Sequence, residues 1–345
     1  MPVQPSSTAI IILNYNGSSD TIECLRHVYR LECPPAMVIV VDNNSSDNSR
    51  QEILESWRDW AEPVVVSDPS IRLECASVFL TLPENFGYGG GNNSGIQVAM
   101  CNSTCNAFWI LNNDTIPDTK ALNALCARAN KFTESAIVGS TLVFAYERIT
   151  VQCAAGCSFN RWLGTSRPIC GGSSLKNIDR VDPVTVEAQL GDVVGASVLL
   201  PKKIVTKIGL IREDFFLYLE ETEFCIRARK TGFVLAWAPD SIVYHKEGAS
   251  TGAESAVAGR TFKRPAWVDY LSLRNRVYMM RKHYPWALPL VLLSYLGVIL
   301  NRVRRGQANR IPLIFRAAWD GLRGRMGKPD HLFPALRDTH ENSGH

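Results

Sequence analysis

The sequence is sparing with the features that assign a protein quickly. Its 345 residues hold ten cysteines but no C-x-x-C pair, and only six histidines. None of those histidines stands at zinc-finger spacing beside Cys101/Cys105 or Cys153/Cys157, so a structural zinc site is not expected. Met1-Pro2-Val3-Gln4-Pro5 is not followed by a basic and then an apolar leader segment. That predicts a chain that is not exported, with free thiols in a reducing cytosol. There is no G-x-x-x-x-G-K-[ST], which argues against a P-loop enzyme. Gly87-Tyr88-Gly89-Gly90-Gly91-Asn92 contains G-x-G but not the dinucleotide G-x-G-x-x-G, and it follows the third expected strand instead of the first. Internal repeats and low-complexity tracts are absent.

What is present is globular: 46% hydrophobic and 20% charged residues. The length suits a large α/β domain with an appendage, or two domains. The net charge of +4 conceals an asymmetry, since residues 260–345 carry 16 Lys/Arg against 5 Asp/Glu, leaving 21 against 28 in residues 1–259. The acidic part reads as the globular body and the basic part as a region that meets an anionic partner. A nucleic acid is not expected as that partner, and a membrane surface is.

Along the chain, apolar β-branched runs alternate with helical patterns. Strands are expected at 8–14, 37–41, 76–82 and 107–111, with helices capped around Ser18–Asp20, running to about Trp60, opened by a Gly89–Gly91 turn, and following Asp118. This predicts a parallel sheet with helices on both faces. Each strand ends in Asn or Asp or just before one, at Asn14, Asp42, Asn85 and Asp114. Such residues make turns anywhere. Four successive polar strand ends favour a ligand crevice at the carboxyl edge of the sheet. Backbone amides of the glycine turn could hold an anion there. Residues 145–190 read as short strands and loops, and 192–200 as one strand with small residues in its middle. A short helix is expected near Pro201, a helix ending at Gly232, and a strand at 233–244. Helix 266–284 is broken by Pro285-Trp286. Residues 286–300 are uncharged but short of the ~20 residues a spanning helix needs. With Arg302, Arg304 and Arg305 behind them, they read as an interfacial or re-entrant segment.

Phe215 to Arg227 carries three carboxylates, Glu220, Glu221 and Glu223, between apolar and aromatic residues. A helix N-terminus welcomes such charges. A carboxylate at the rim of a nucleotide crevice could also act as a general base toward a hydroxyl nucleophile. Asp114 beside Asn112 and Asn113 suits a half-open Mg²⁺ site completed by water and substrate phosphates, with His245 as a further ligand.

The ordered set Ile12-Leu13-Asn14-Tyr15-Asn16, Val40 to Asp47, Asn85 to Gly95, Leu111-Asn112-Asn113-Asp114, Gly195-Ala196-Ser197, Phe216 to Arg227, His245 to Thr251 and Arg274-Asn275-Arg276 resembles the family 2 glycosyltransferases with a GT-A fold, most of all the bacterial rhamnosyltransferases. The set covers about residues 8–284. The resemblance implies a catalytic domain over 1–262, with a nucleotide-sugar half at about 1–145 and an acceptor half at about 146–262. A basic amphipathic helical region would follow at 263–345. It implies that Asp42 contacts the base with Asn14 and Asn16 nearby, and that Asn85, Gly91, Asn92 and Asn113 lie along the donor. Asp114 and His245 would hold a divalent cation, Mg²⁺ or Mn²⁺. Glu221 would be the base and Glu220 its support. The implied reaction is inverting transfer of one sugar, from dTDP-L-rhamnose or another nucleotide sugar such as a UDP-hexose or UDP-galactofuranose, to a glycan or lipid-linked acceptor at the inner face of the cell membrane. Two residues depart from the family pattern: Asn112 replaces the first acid of Asp-x-Asp, and Glu221 replaces an Asp. They keep open a catalytically silent sugar-binding protein. A processive synthase's Gln-x-x-Arg-Trp is absent after the acidic stretch, which favours transfer of a single sugar.

Overall fold

The computed structural model describes residues 2–133, 135–246, 265–329 and 332. The first half alternates as its apolar runs dictate: β1 (Thr8–Asn14), α1 (Ser18–Val28), β2 (Met37–Asp42), α2 (Ser49–Trp57), β3 (Val64–Val66), β4 (Ser77–Thr81), α3 (Gly87–Cys101), β5 (Ala107–Asn112), β6 (Thr115–Pro117), α4 (Ala121–Ala129) and β7 (Ala136–Phe144). Then come β8 (Val151–Ala154), β9 (Gly156–Asn160), β10 (Thr165–Pro168), α5 (Pro183–Gln189), β11 (Asp192–Val193), β12 (Ser197–Pro201), α6 (Lys202–Ile208), α7 (Glu220–Lys230) and β13 (Val234–His245). The chain closes with α8 (Ala266–His283), α9 (Leu288–Arg304) and α10 (Ile311–Arg323).

The main sheet runs β3-β4-β2-β1-β5-β12-β7-β13-β6, with β8 beside β7, and β10-β9-β11 form a small second sheet. Pairing from β3 through β5 is parallel, while β12 lies antiparallel between β5 and β7. The strand order departs from β1 in both directions, toward β2 and toward β5, so a crevice opens at the carboxyl ends. Register places Asn14 beside Asp42 and Leu13 beside Asn112. One sheet face packs on α3, α6 and α7 through residues such as Ile96, Ile204 and Phe224. The other packs on α1, α2 and α4 through Leu25, Trp57 and Leu125. Residues of the central strands are buried on both faces, which is why they read as unbroken apolar runs. This is the GT-A arrangement.

Several expectations change. The segment 192–200 is two strands: β11 pairs with β9, and β12 with β5 and β7. Gly195 lies between them against the Tyr88 hydroxyl, where a Cβ would collide. Helix α3 begins at Gly87, so Gly89–Gly91 are its first turns instead of a preceding loop. They let the helix lie close: a Cβ on Gly89 would meet the Arg212 carbonyl at 2.9 Å, and one on Gly91 would overlap Leu13. Helix α1 is entered through Gly17 with no side-chain cap. Strand β3 and helix α5 were not expected. The domain boundary near 262, and residues 247–251 of the motif following His245, lie outside the described residues. The arginines of α8 also differ from expectation. Arg274 is fully buried, and both it and Arg276 bond to backbone carbonyls instead of facing an anionic surface. Arg302 and Arg310 pair with Asp269 at 2.7 Å.

Candidate active site

The first polar group sits where β1 and β2 end. Asn14 Nδ2 donates to Asp42 Oδ1 at 2.9 Å and to Ser45 Oγ at 3.1 Å, and its Oδ1 accepts the Thr21 hydroxyl. Asp42 also accepts the Ser45 N–H and hydroxyl, so this nearly buried carboxylate is ringed by hydrogen-bond donors. Asn16, in the left-handed region at φ 51°, accepts the Ser46 N–H and ties the turn after β1 to the turn after β2. Asn113 Nδ2 points inward to the Thr21 hydroxyl and the Gly17 carbonyl. Asn14, Asn16, Asp42 and Asn113 are thus one connected cluster.

Asn85 lies one step away. Its Oδ1 accepts from Asn43 Nδ2 and from the Gly87 N–H. The Phe86 N–H goes to Asn43 and the Tyr88 N–H to the Phe216 carbonyl. The amides of Phe86, Gly87 and Tyr88, just ahead of the Gly89–Gly91 amides that the sequence offered to an anion, are therefore already bonded. Asn92 donates to the Tyr88 carbonyl, while its Oδ1 is buried with no hydrogen-bond partner.

The second group joins β13 to the turn between β5 and β6. His245 Nε2 stands 3.4 Å from Asp114 Oδ1. Gln152 fixes the ring: its Nε2 donates to the His245 carbonyl, so its Oε1 is left to accept from Nδ1 at 2.9 Å. That assigns a proton to Nδ1 and turns Nε2 toward Asp114, the arrangement by which a metal-binding histidine is held. A carboxylate and one imidazole fit Mn²⁺ or Mg²⁺ whose remaining positions are filled by water and phosphate oxygens. No cluster of three or more His, Cys, Asp or Glu suited to a metal occurs among the described residues.

The third group is acidic. Glu220 and Glu221 open α7, and no side chain caps that helix. Glu220 is 1% exposed and its Oε2 has no hydrogen-bond partner. Burial, and then the neighbouring Glu221 charge, drive its pKa well above the carboxylate range. Burial also pushes half-buried Glu221 up to about 7, with Asp192 adding to the rise. Asp192, itself raised by burial, accepts from Thr222, Ser166 and the Cys157 N–H, which fixes α7 to the small sheet. Glu223 faces elsewhere, between Arg227 and His283. The approach to α7 is unusual, because Phe216, Tyr218 and Leu219 all have positive φ, at 67°, 76° and 71°. Each such non-glycine residue costs on the order of 1–3 kcal/mol unless its surroundings impose it.

Tyr88 lies among these groups. Its hydroxyl donates to the Gly195 carbonyl at 2.8 Å. Burial, and after it the carboxyl groups of Glu221, Glu220 and Asp114, raise its pKa. Residues 9–150 match the family model described as Glycosyl transferase family 2. That match marks the protein as a glycosyltransferase. As a glycosyltransferase, the protein is similar over its length to curated relatives. The low-salt glycan biosynthesis hexosyltransferase Agl10 of Haloferax volcanii is 24% identical over 335 residues, 94% of each chain. The N-acetylglucosaminyl-diphospho-decaprenol L-rhamnosyltransferase of Mycobacterium tuberculosis is 22% identical over 295 residues, covering 81% of this chain and 89% of that one. Among solved structures, the mannosyltransferase PcManGT of Pyrobaculum calidifontis, in complex with GDP-Man and Mn²⁺, shares the fold with a TM-score of 0.51 and 14% identity, over 92% of this chain and 87% of that one.

Sequence reasoning missed Tyr88, Gln152, Asp192 and Asn275 as parts of the site. Tyr88 stood inside a motif whose glycines drew attention, and Asn275 inside one with no assigned role. Gln152 carries no local signal, because only the pairing of β13 and of β8 with β7 brings His245 to it.

Proposed function

We propose that the protein transfers a single sugar, with inversion, from a nucleotide-diphospho-sugar to a hydroxyl of a glycan or lipid-linked acceptor, and that dTDP-L-rhamnose is the donor to test first. The observation that carries the reading is the set of polar groups at the crevice: Asn14 bonded to Asp42 where paired β1 and β2 end, Asp114 beside His245, and Glu220 and Glu221 opening α7, whose approach loop is bonded by the Tyr88 N–H at the Phe216 carbonyl. The nucleoside would lie along Asn14, Asn16 and Asp42, with Asn85, Gly91, Asn92 and Asn113 beneath the donor. A divalent cation held by Asp114 and His245 would neutralise charge on the departing diphosphate. In the reaction, the acceptor oxygen bonds to the anomeric carbon. The bond from that carbon to the diphosphate oxygen breaks, and the diphosphate leaves with the electron pair. Glu221 takes the acceptor proton; its raised pKa makes it a competent base at neutral pH. Glu220, kept neutral by burial, adds no second charge beside it. The rhamnose donor rests on motif resemblance and on the Mycobacterium tuberculosis relative.

We also assign the protein to the inner membrane surface. Helix α9 presents Leu290, Leu293, Leu296, Leu300 and Val303, all 40% exposed or more, at helical spacing. Trp286 precedes them, and α10 adds Phe315 and Trp319. Pro285–Arg304 is long and apolar enough to cross a membrane, yet it packs on the body through Val291 and Tyr295. A helix with one embedded face and a basic end lies in the interface. Co-flotation with anionic but not neutral vesicles, abolished by Leu293→Glu/Leu296→Glu, is the expected result; flotation unaffected by that pair contradicts it.

The function is tested by following nucleoside diphosphate release from a panel of nucleotide sugars, with a membrane lipid extract supplying acceptors. Glu221→Gln is expected to bind donor normally and to lose roughly 10²–10⁴-fold in turnover. Turnover retained by that variant would refute the assignment.

A further inference from the structure

The three left-handed residues before α7 raise the question of what holds them. The answer lies about 60 positions downstream, on α8. Asn275 is fully buried, and its Nδ2 lies 3.0 Å from the Phe215 carbonyl and 2.9 Å from those of Leu217 and Tyr218. Its Oδ1 accepts from Arg274 Nε at 3.0 Å, so its orientation is fixed with the amide nitrogen toward the loop. Arg274 itself donates to the Phe215 carbonyl and to the Gly327 carbonyl. From the opposite side the Tyr88 N–H bonds the Phe216 carbonyl at 2.8 Å, and Gly87 leaves room for it where a Cβ would overlap. Every carbonyl from Phe215 to Tyr218 is thus held from outside the loop. The backbone has no freedom to relax before Glu220, and α7 starts in one place only.

We infer that Asn275 is a positioning residue for the active-site carboxylates: it imposes the left-handed path of residues 216–219 and thereby sets where Glu220 and Glu221 enter the crevice. This rests on the functional reading above only for the activity readout. The physical basis is donor count. An asparagine brings two amide hydrogens that the three loop carbonyls share, and a carboxylate in the same volume brings none. The adjoining residue extends the same role, since Arg276 bonds the Leu163 carbonyl in the turn between β9 and β10 and Ser294 on α9. Consecutive residues of one helix thus hold the acidic loop, the small sheet and the apolar helix together.

The test uses the full chain and Asn275→Asp, which keeps the side-chain shape and can pair with Arg274 while losing every donor to the loop. Two readouts are taken. Hydrogen exchange should speed at the amides of residues 216–221 and stay unchanged at Asn14–Asp42. Turnover of the donor consumed by the wild type should fall about 100-fold, the scale of a 1 Å misplacement of a reacting group, with the donor dissociation constant within about twofold of wild type. Unchanged exchange in the loop, or exchange that speeds equally through the whole domain, overturns the inference. So does a parallel loss of donor binding. Asn275→Ala is measured alongside, and if both variants unfold, Asn275 is a general folding residue and the inference is wrong. Absence of turnover by the wild type with every donor refutes the functional reading instead, and the exchange result still decides the role of Asn275.

Discussion

Replacing Glu221 by glutamine should stabilise the protein while disabling it, by an amount that depends on pH. The carboxyl is shifted from an ordinary value of 4.5 to about 7 by burial first and Asp192 second. A group raised in the folded state takes up its proton more tightly there than in the unfolded chain. Its contribution is therefore fully present below the unfolded value and is lost as pH rises through the folded one. At pH 8 the folded wild type carries a buried charge that costs on the order of 3 kcal/mol, and at pH 5 the corresponding cost is under ~1 kcal/mol. Glutamine has nearly the same volume and no charge, so it removes that cost. For a chain of this length ~3 kcal/mol corresponds to about 4 °C in the melting temperature. Thermal scans of wild type and Glu221→Gln at pH 5 and pH 8 give the comparison. The expected result is a gain of a few degrees at pH 8 and little gain at pH 5, together with the loss of turnover. Equal gains at both pH values, or a loss of stability at pH 8, would refute the assignment of a half-buried, charge-strained carboxylate.

The remaining predictions are briefer. The rate with saturating donor should rise with pH through about 7 as Glu221 loses its proton; a rate that falls across that window excludes Glu221 as the base. Asp114→Asn should abolish the stabilisation that Mn²⁺ lends to donor binding, and Gln152→Ala should weaken cation dependence by about 10–100-fold through loss of ring orientation, both read by donor titration at varied Mn²⁺. Gly87→Ala places a methyl onto the Phe216 carbonyl at a backbone with φ of 73°, so it should cost more than the ~1–3 kcal/mol of ordinary overpacking and should be seen in denaturant unfolding.

The parallel half of the sheet was legible because strands buried on both faces read as near-continuous apolar runs, as β1, β2, β4 and β5 do. Polar strand ends then placed Asn14, Asp42 and Asp114 along one edge without further help. The short edge strand Val64–Val66 lacked the length to register, and helix α5 was hidden in a stretch broken by glycine and proline. The turn at Val194-Gly195-Ala196 was read as strand because its flanks are apolar, whereas the two flanks belong to different sheets. What local pattern could not supply were the ties across the chain. Gln152 meets His245 over 93 positions, and Asn275 meets Leu217 over 58. The glycines of α3 carry a meaning that the local pattern did not show: they let the helix pack closely on Leu13 and Ile11.

The central claim is that the crevice edged by Asn14, Asp42, Asp114 and Glu221 takes a nucleotide sugar together with a divalent cation. Thermal-shift titration of the full chain with a panel of nucleotide sugars, with and without Mn²⁺ or Mg²⁺, tests it most directly, because a ligand of the folded state raises stability in proportion to its occupancy. The account predicts a saturable rise with at least one donor, dTDP-L-rhamnose first among them, that requires the cation and disappears in Asp114→Asn. No response to any nucleotide sugar, with either metal present, would contradict it.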